Sequence, residues 1–181
     1  MFAITKRLLL RPAWAEDAPL IAEAIAHERI ACMLARMPWP YRLEHAREWL
    51  ATPRDERFPN FLITDRVKIP GRIIGSVGFQ PGEDDDAPEL GFWLVPDRWG
   101  EGIMVEAATA AIEAARAGLG YDRIVAGHFV DNPRTGRVLD KLGFRRTGIA
   151  PRDCRARGRR VDCVIFERGE EQEQTQPAMA A

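Results

Sequence analysis

Gly100 and Gly102 stand one residue apart in DRWGEGIMVEAATAAIEAA, at the head of an alanine-rich run that otherwise reads as one long helix from about Gly100 to Ala117. Glycine inside a helix costs about 1 kcal/mol relative to alanine, so a pair at this point asks for a reason. Two readings fit. In one, Gly100 is a turn residue and Gly102 a helix start, with nothing bound. In the other, the amides of Gly100, Glu101, Gly102, Ile103 and Met104 cradle a phosphate. The first helical turn has N–H groups without intrahelical partners, its dipole favours anions, and residues lacking Cβ admit a close approach. Neither common alternative matches. There is no Gly-Lys-Ser/Thr ending of a P-loop, and no third glycine or N-terminal βαβ unit of a dinucleotide fingerprint.

Other chemistry-bearing residues are few. His128 lies in IVAGHFV; an imidazole, titrating near about 6.5, suits proton transfer, while period-two alternation turns it toward the core as a satisfied buried histidine. His27 and His45 have no metal-ligand partner at useful spacing, and no metal is expected. Cys32, Cys154 and Cys163 form no C-x-x-C pair, a sparse odd set that fits reduced thiols in a cytoplasmic protein. GEDDDAPE gathers Glu83, Asp84, Asp85, Asp86 and Glu89. It reads as a solvated loop, or as an attractor for a cationic amine. RDCRARGRR gathers Arg152, Arg155, Arg157, Arg159 and Arg160 around a turn. It fits either a guard for edge strands or a grip on acidic protein or RNA phosphates.

The elements that must position these residues follow from periodicity. TKRLLLRP reads as a strand stopped by Pro12, AEDAPLIAEAIAH and YRLEHAREWL as amphipathic helices, and NFLITDR with GRIIGSVGFQ as an antiparallel pair. ELGFWLV is the fourth strand and DRIVAGHFV the fifth. PRTGRVLDKLG is a short helix, and CRARGRRVDCVIFE a hairpin turning near Gly158; a turn centred on Gly158 and Arg159 would set Cys154 opposite Cys163. This order of helices and adjacent strands gives an α+β fold in a single domain, residues 1–168, with a disordered tail over 169–181. The 181 residues carry a net charge of -1, which gives no whole-molecule case for nucleic acid or an anionic membrane. No apolar run approaches the roughly 18 residues that span a bilayer. The aromatics Trp49, Phe92, Trp93 and Trp99 read as core, whereas Trp39, between Pro38 and Pro40, is placed to line an acceptor pocket.

Three segments together resemble the GNAT superfamily of N-acetyltransferases, in its RimJ/RimL-like branch of ribosomal-protein N-terminal acetyltransferases. TKRLLLRPAWAEDA resembles the opening strand and helix. ELGFWLVPDRWGEGIMVEA resembles the fourth strand and acetyl-CoA motif, with Trp99, Gly102 and Met104 in the Q/R-x-x-G-x-G/A positions. NPRTGRVLDKLGF resembles the N-x-x-S helix that follows. The resemblance covers about residues 4 to 167. It implies a mixed, mostly antiparallel twisted sheet with splayed fourth and fifth strands, flanked by about four helices. It also implies acetyl-CoA as co-substrate, with its pyrophosphate on the glycine stretch.

The implied reaction is direct acetyl transfer to a primary amine in a ternary complex, since no cysteine lies in a motif for an acetyl-enzyme. An amine attacks only when neutral, the thioester oxygen needs a donor, and the leaving thiolate benefits from a proton. The resemblance places Phe92, Trp93, Leu94 and Val95 along the pantetheine arm. Trp99, Gly100, Glu101, Gly102, Ile103, Met104, Asn132 and Arg137 complete the cofactor-binding set. Asn132 is also a natural helix cap. Glu89 is the base it suggests, directly or through water, or else a solvated strand-edge carboxylate. Glu106 is read as orienting nearby loops. The usual tyrosine acid is absent, with Leu139 in its place, and Thr135 is the hydroxyl left near the sulfur, or a first-turn residue bonded to backbone. That gap leaves a catalytically silent acyl-CoA sensor or scaffold as the alternative. The acceptor is a protein N-terminus or a small amine, and the oligomeric state is open, a homodimer included.

Overall fold

The computed structural model describes residues 1–82 and 87–169. The expectations for Glu83 to Asp86 and for the tail from residue 170 lie outside the described residues; Gly169, expected to open that tail, instead ends a strand because it pairs with Arg123. Its strands are β1 (Ala3–Ile4), β2 (Leu8–Arg11), β3 (Asn60–Asp65), β4 (Ile73–Pro81), β5 (Pro88–Leu94), β6 (Arg123–Phe129), β7 (Arg145–Cys154) and β8 (Arg159–Gly169). The helices are α1 (Ala18–Ile25), α2 (Glu28–Ala31), α3 (Leu43–Ala51), α4 (Ile103–Leu119) and α5 (Pro133–Lys141). Among the described residues five helices stand where about four were expected, the addition being the single turn Glu28–Ala31. The expected first strand is a small hairpin, so the expected fourth and fifth strands are β5 and β6.

One open sheet runs in the order β1-β2-β3-β4-β5-β6-β8-β7. Every neighbouring pair is antiparallel except β5 with β6. β3 and β4 sit at the centre, and from Phe61 to Asp65 and from Ile73 to Phe79 every residue is buried. Such continuous burial needs cover on both faces, and alternate residues supply it. Phe61, Ile63 and Ile74 join Ile103, Ala107, Ala111 and Ala115 of α4 on one face. Leu62 and Ile73 meet Ala18, Ile21 and Ala46 of α1 and α3 on the other. The alanines of α4 recur four apart, and their small side chains let the helix lie close on the sheet.

β5 pairs with β4 along its whole length, from Gly75↔Leu94 to Pro81↔Pro88. β6 pairs equally fully with β8, from Arg123↔Gly169 to Phe129↔Cys163. Between β5 and β6, however, register is kept only at Glu89↔Val125 and Leu90↔Ala126. Beyond Leu90 the two strands splay, as the resemblance implies.

The last hairpin departs from expectation. Its turn is a 3-10 segment, Arg155–Arg157, closed by Gly158 at φ 62°. Cys154 therefore faces Arg159, and Cys163 faces Ala150. Longer than a two-residue turn, this segment shifts the register, and the cysteines are not cross-strand neighbours. β7 also reaches back to Arg145, through RRTGIAPRD, whose polar sequence hides a strand that runs along the sheet edge.

Candidate active site

The glycine stretch follows a 3-10 turn, Pro96–Arg98. Gly100 and Gly102 have φ of 83° and 73°, in the left-handed region where a side chain is disfavoured. The helix accordingly starts at Ile103 rather than at Gly100. Gly102 occupies the N-cap position with no side-chain cap, and the amide of Glu106, bonded to the Gly102 carbonyl at 3.2 Å, opens the backbone ladder. Gly100, Gly102, Ile103 and Met104 line the cleft at the splay. A Cβ on Gly100 would meet nothing within 4 Å, so backbone angle, not crowding, demands glycine there.

Three anchors hold this turn. Arg98 donates to the Asp65 carboxylate, both side chains being buried, and to Glu101 at 3.2 Å. Burial raises the Asp65 pKa, but the Val67 amide, the Arg98 guanidinium and the Lys68 and Ile69 amides outweigh it and bring it to about 2. Lys68 Nζ lies 2.7 Å from Glu101. Arg7 donates to the Glu101 carbonyl at 2.8 Å and to Glu106 at 2.6 Å, and Glu106 also accepts from Thr5. Burial works against the Glu106 charge, yet these donors from Thr5 and Arg7 keep its carboxyl below the usual range. Glu106 thus ties the β1–β2 hairpin to α4.

The splay opens into a cleft of 920 Å³. It gathers Glu89, Phe92, Trp93, Leu94, Trp99, Gly100, Gly102, Ile103, Met104, Asn132, Thr135 and Arg137 on one surface. Val95 and Glu101 are not brought there. Val95 is 1% exposed and gives its N–H to Ile74 at 2.8 Å, and Glu101 turns to its basic partners. Trp39 does not line the cleft either; the segment Met33 to Arg36 does. Sequence reasoning also missed Arg29, Arg134 and Lys141. Arg29 and Arg134 lie 4.8 and 5.4 Å from the Trp99 ring centroid, and Trp99 Nε1 donates to the Leu94 carbonyl at 2.7 Å. Positions 134, 137 and 141 share one face of α5, a spacing that could have found them.

Glu89 is buried, at 5% exposed, and is no solvated strand-edge carboxylate. It is ion-paired with Arg152, and its other oxygen accepts from Gln80 Nε2 at 3.2 Å. Asn132 stands at the N-cap of α5 without capping its amides. Its side-chain amide donates to Thr135 Oγ1 at 2.9 Å, which leaves the Thr135 hydroxyl hydrogen for another acceptor. Leu139 is fully buried. His128 is 9% exposed and lines the cleft rather than lying sealed in the core. Of the arginine cluster, Arg152 is taken by Glu89. Arg157 pairs with Asp131 at 2.7 Å and donates to the Cys32 carbonyl at 2.8 Å, and its hydrogen bonds hold the Asp131 carboxyl below its ordinary range. Among the described residues no cluster of His, Cys, Asp and Glu is arranged to hold a metal, and no helix is long and apolar enough to cross a membrane.

The chain superposes on RimL, a ribosomal L7/L12 alpha-N-protein acetyltransferase solved in complex with coenzyme A. The TM-score is 0.75 at 20% identity, covering 93% of this chain and 98% of that one. The chain belongs to the GNAT acetyltransferases: the acetyltransferase (GNAT) domain matches residues 7–145. It is 26% identical over 167 residues to p20, an uncharacterised N-acetyltransferase of Bacillus licheniformis, covering 90% of this chain and 92% of that protein. It is 31% identical over 78 residues to YoaA, an uncharacterised N-acetyltransferase of Bacillus subtilis (strain 168), a match that spans 42% of this chain and 44% of YoaA.

Proposed function

We propose that this protein transfers the acetyl group of acetyl-CoA directly to a primary amine, in a ternary complex formed at the splay. The observation that carries this reading is the junction of two features in one cleft: β5 and β6 part after Leu90, and the glycine N-cap and first residues of α4, with no side-chain cap, line the same surface. The first offers unpaired backbone on β5 to the pantetheine arm. The second, with Arg134, Arg137 and Lys141, offers amides and positive charge to phosphates. Glu89 takes the amine proton, directly or through water. The Thr135 hydroxyl, oriented by Asn132, donates a hydrogen bond to the departing sulfur.

The acceptor class favoured is a protein N-terminal amine. RimL, with the same fold, acts on such an amine, and the 920 Å³ cleft has room for a flexible peptide end. The test is thioester consumption against a panel of peptides beginning with alanine or serine, ribosomal-protein N-termini among them, beside polyamines and amino acids. We expect coenzyme A release that depends on a peptide with a free N-terminus and stops when that amine is blocked. Turnover with small amines alone would move the acceptor to that class, and no turnover with any amine would remove the enzymatic reading.

A further inference from the structure

Protonating the leaving thiolate is the step the site leaves open, because the phenol position holds Leu139 and a threonine hydroxyl is too weak an acid to give up its proton unaided. Building on the acetyl-transfer reading, we propose that His128 is the acid: its Nε2–H protonates the coenzyme A sulfur as the C–S bond breaks.

The case starts from pleat parity. Successive residues of a strand point to opposite faces. On β6, a Cβ added to Gly127 would lie 2.9 Å from Cys163 Sγ and 3.6 Å from Arg152 Nη1, which is the face of Glu89 and its partner. His128, the next residue, points to the face covered by α5, and a Cβ added to Gly136 would lie 2.8 Å from its Nε2. A side chain at 136 would push the imidazole out of this position. Thr135 precedes that glycine and lines the same cleft. The splay therefore holds a carboxylate on one face and an imidazole on the other.

The imidazole is also set in one orientation. His128 Nδ1 lies 2.8 Å from the Phe129 carbonyl, an acceptor only, so Nδ1 carries a hydrogen. The ring packs against Phe166 at 5.5 Å between centroids. Nε2 is left as the exchangeable nitrogen, and it has no hydrogen-bond partner among the described residues. A nine-tenths buried polar atom without a partner is costly unless a ligand supplies one.

The step balances. The amine nitrogen forms a bond to the acetyl carbon, and the C–S electron pair goes to sulfur. The amine proton goes to Glu89, and the Nε2 proton goes to sulfur. Glu89 then loses its proton to solvent, and the neutral imidazole regains one from it.

The deciding experiment is imidazole 15N NMR on a His27→Gln/His45→Gln variant, in which His128 is the remaining histidine of the chain's three. Spectra are recorded with coenzyme A and with desulfo-coenzyme A, and binding of each is measured by calorimetry on the same sample. We expect the Nε2 resonance to move with coenzyme A and to stay near its free position with the desulfo compound. Equal responses, or none, with both compounds bound would overturn the assignment while leaving acetyl transfer standing. Failure of either compound to bind would instead sink the underlying reading and this inference with it. In turnover assays His128→Gln should lower kcat about 100-fold, at unchanged coenzyme A affinity. A kcat within about 3-fold of wild type would also overturn the assignment.

Discussion

Replacing Arg98 with methionine tests the ion pair that fixes the glycine turn. Arg98 lies two residues ahead of Gly100 and is 4% exposed; Asp65, at the end of β3, is 1% exposed. Methionine fills much of the same volume but leaves the Asp65 carboxylate without its counter-charge, and breaking a buried pair from one side costs about 3–5 kcal/mol. Asp65 keeps amide donors at 2.9 Å from Val67, 3.1 Å from Lys68 and 3.3 Å from Ile69. We therefore expect the low end, about 3 kcal/mol, or a Tm lower by about 6–12 °C for a chain of this size. Acid unfolding gives an independent check. The folded-state pKa of Asp65 is lowered from 3.8 to about 2. Such a group contributes stability that is fully present above its unfolded value and is lost as pH falls through the folded one, here between about pH 4 and about pH 2. The shift corresponds to about 2 kcal/mol. Urea unfolding across that window should show wild type losing more stability than Arg98→Met, because the variant lacks one of the groups that lower the Asp65 pKa. A variant melting within about 2 °C of wild type, with the same acid slope, would refute the reasoning.

Alanine at Gly100, Gly102 or Gly120, all at positive φ, should cost about 1–2 kcal/mol each in thermal melts. Only the first two should also weaken coenzyme A binding by calorimetry, since Gly120 ends α4 far from the cleft; equal affinity losses in all three would contradict the cradle. Glu106→Gln weakens the ties to Arg7 and Thr5 and should lower stability by about 1–2 kcal/mol, with kcat for the preferred amine unchanged; a kcat loss of about 10-fold or more would give Glu106 a part in the chemistry. Glu89→Gln should cut kcat by about 100-fold or more while the calorimetric affinity for coenzyme A stays within about 2-fold. Retained turnover would move the base elsewhere.

The strand, glycine turn and helix of the cofactor motif were legible because each signal is local: an apolar run, two glycines, an alanine ladder. The helix start was misplaced by three residues because composition does not distinguish a helical glycine from one at φ 83°. β7 escaped because RRTGIAPRD lacks apolar alternation. It is fixed by its pairing with β8, and that ladder carries a register shift between Arg146 and Gly148. The same limit governs the site. Glu89 was visible as a carboxylate at a strand start, but its partner Arg152 is 63 residues away, and nothing near either residue announces the pair. The arginine cluster looked like one charged surface because its members are adjacent in sequence. The hairpin instead turns Arg152 toward Glu89 and Arg157 toward Asp131.

The placement of His128 shows how little register the site tolerates. Sliding β6 by one residue against β8 would exchange the faces of Gly127 and His128. The imidazole would then meet Cys163 and Arg152, where even a Cβ would come within 2.9 Å of Cys163 Sγ and make that side chain shift, and the face of α5 would be left empty beside Gly136. Two glycines nine positions apart thus act together: Gly127 keeps the Glu89 face free of bulk, and Gly136 opens room for a ring on the opposite face. A sequence pattern that scores β6 only as apolar or polar treats His128 as an interruption. The pleat makes it the polar side chain that β6 sends toward α5 just where β5 and β6 have parted. The same geometry puts carboxylate and imidazole on opposite faces of the sheet, which suits the proposed reaction, in which one proton leaves the nucleophile and another reaches the leaving group.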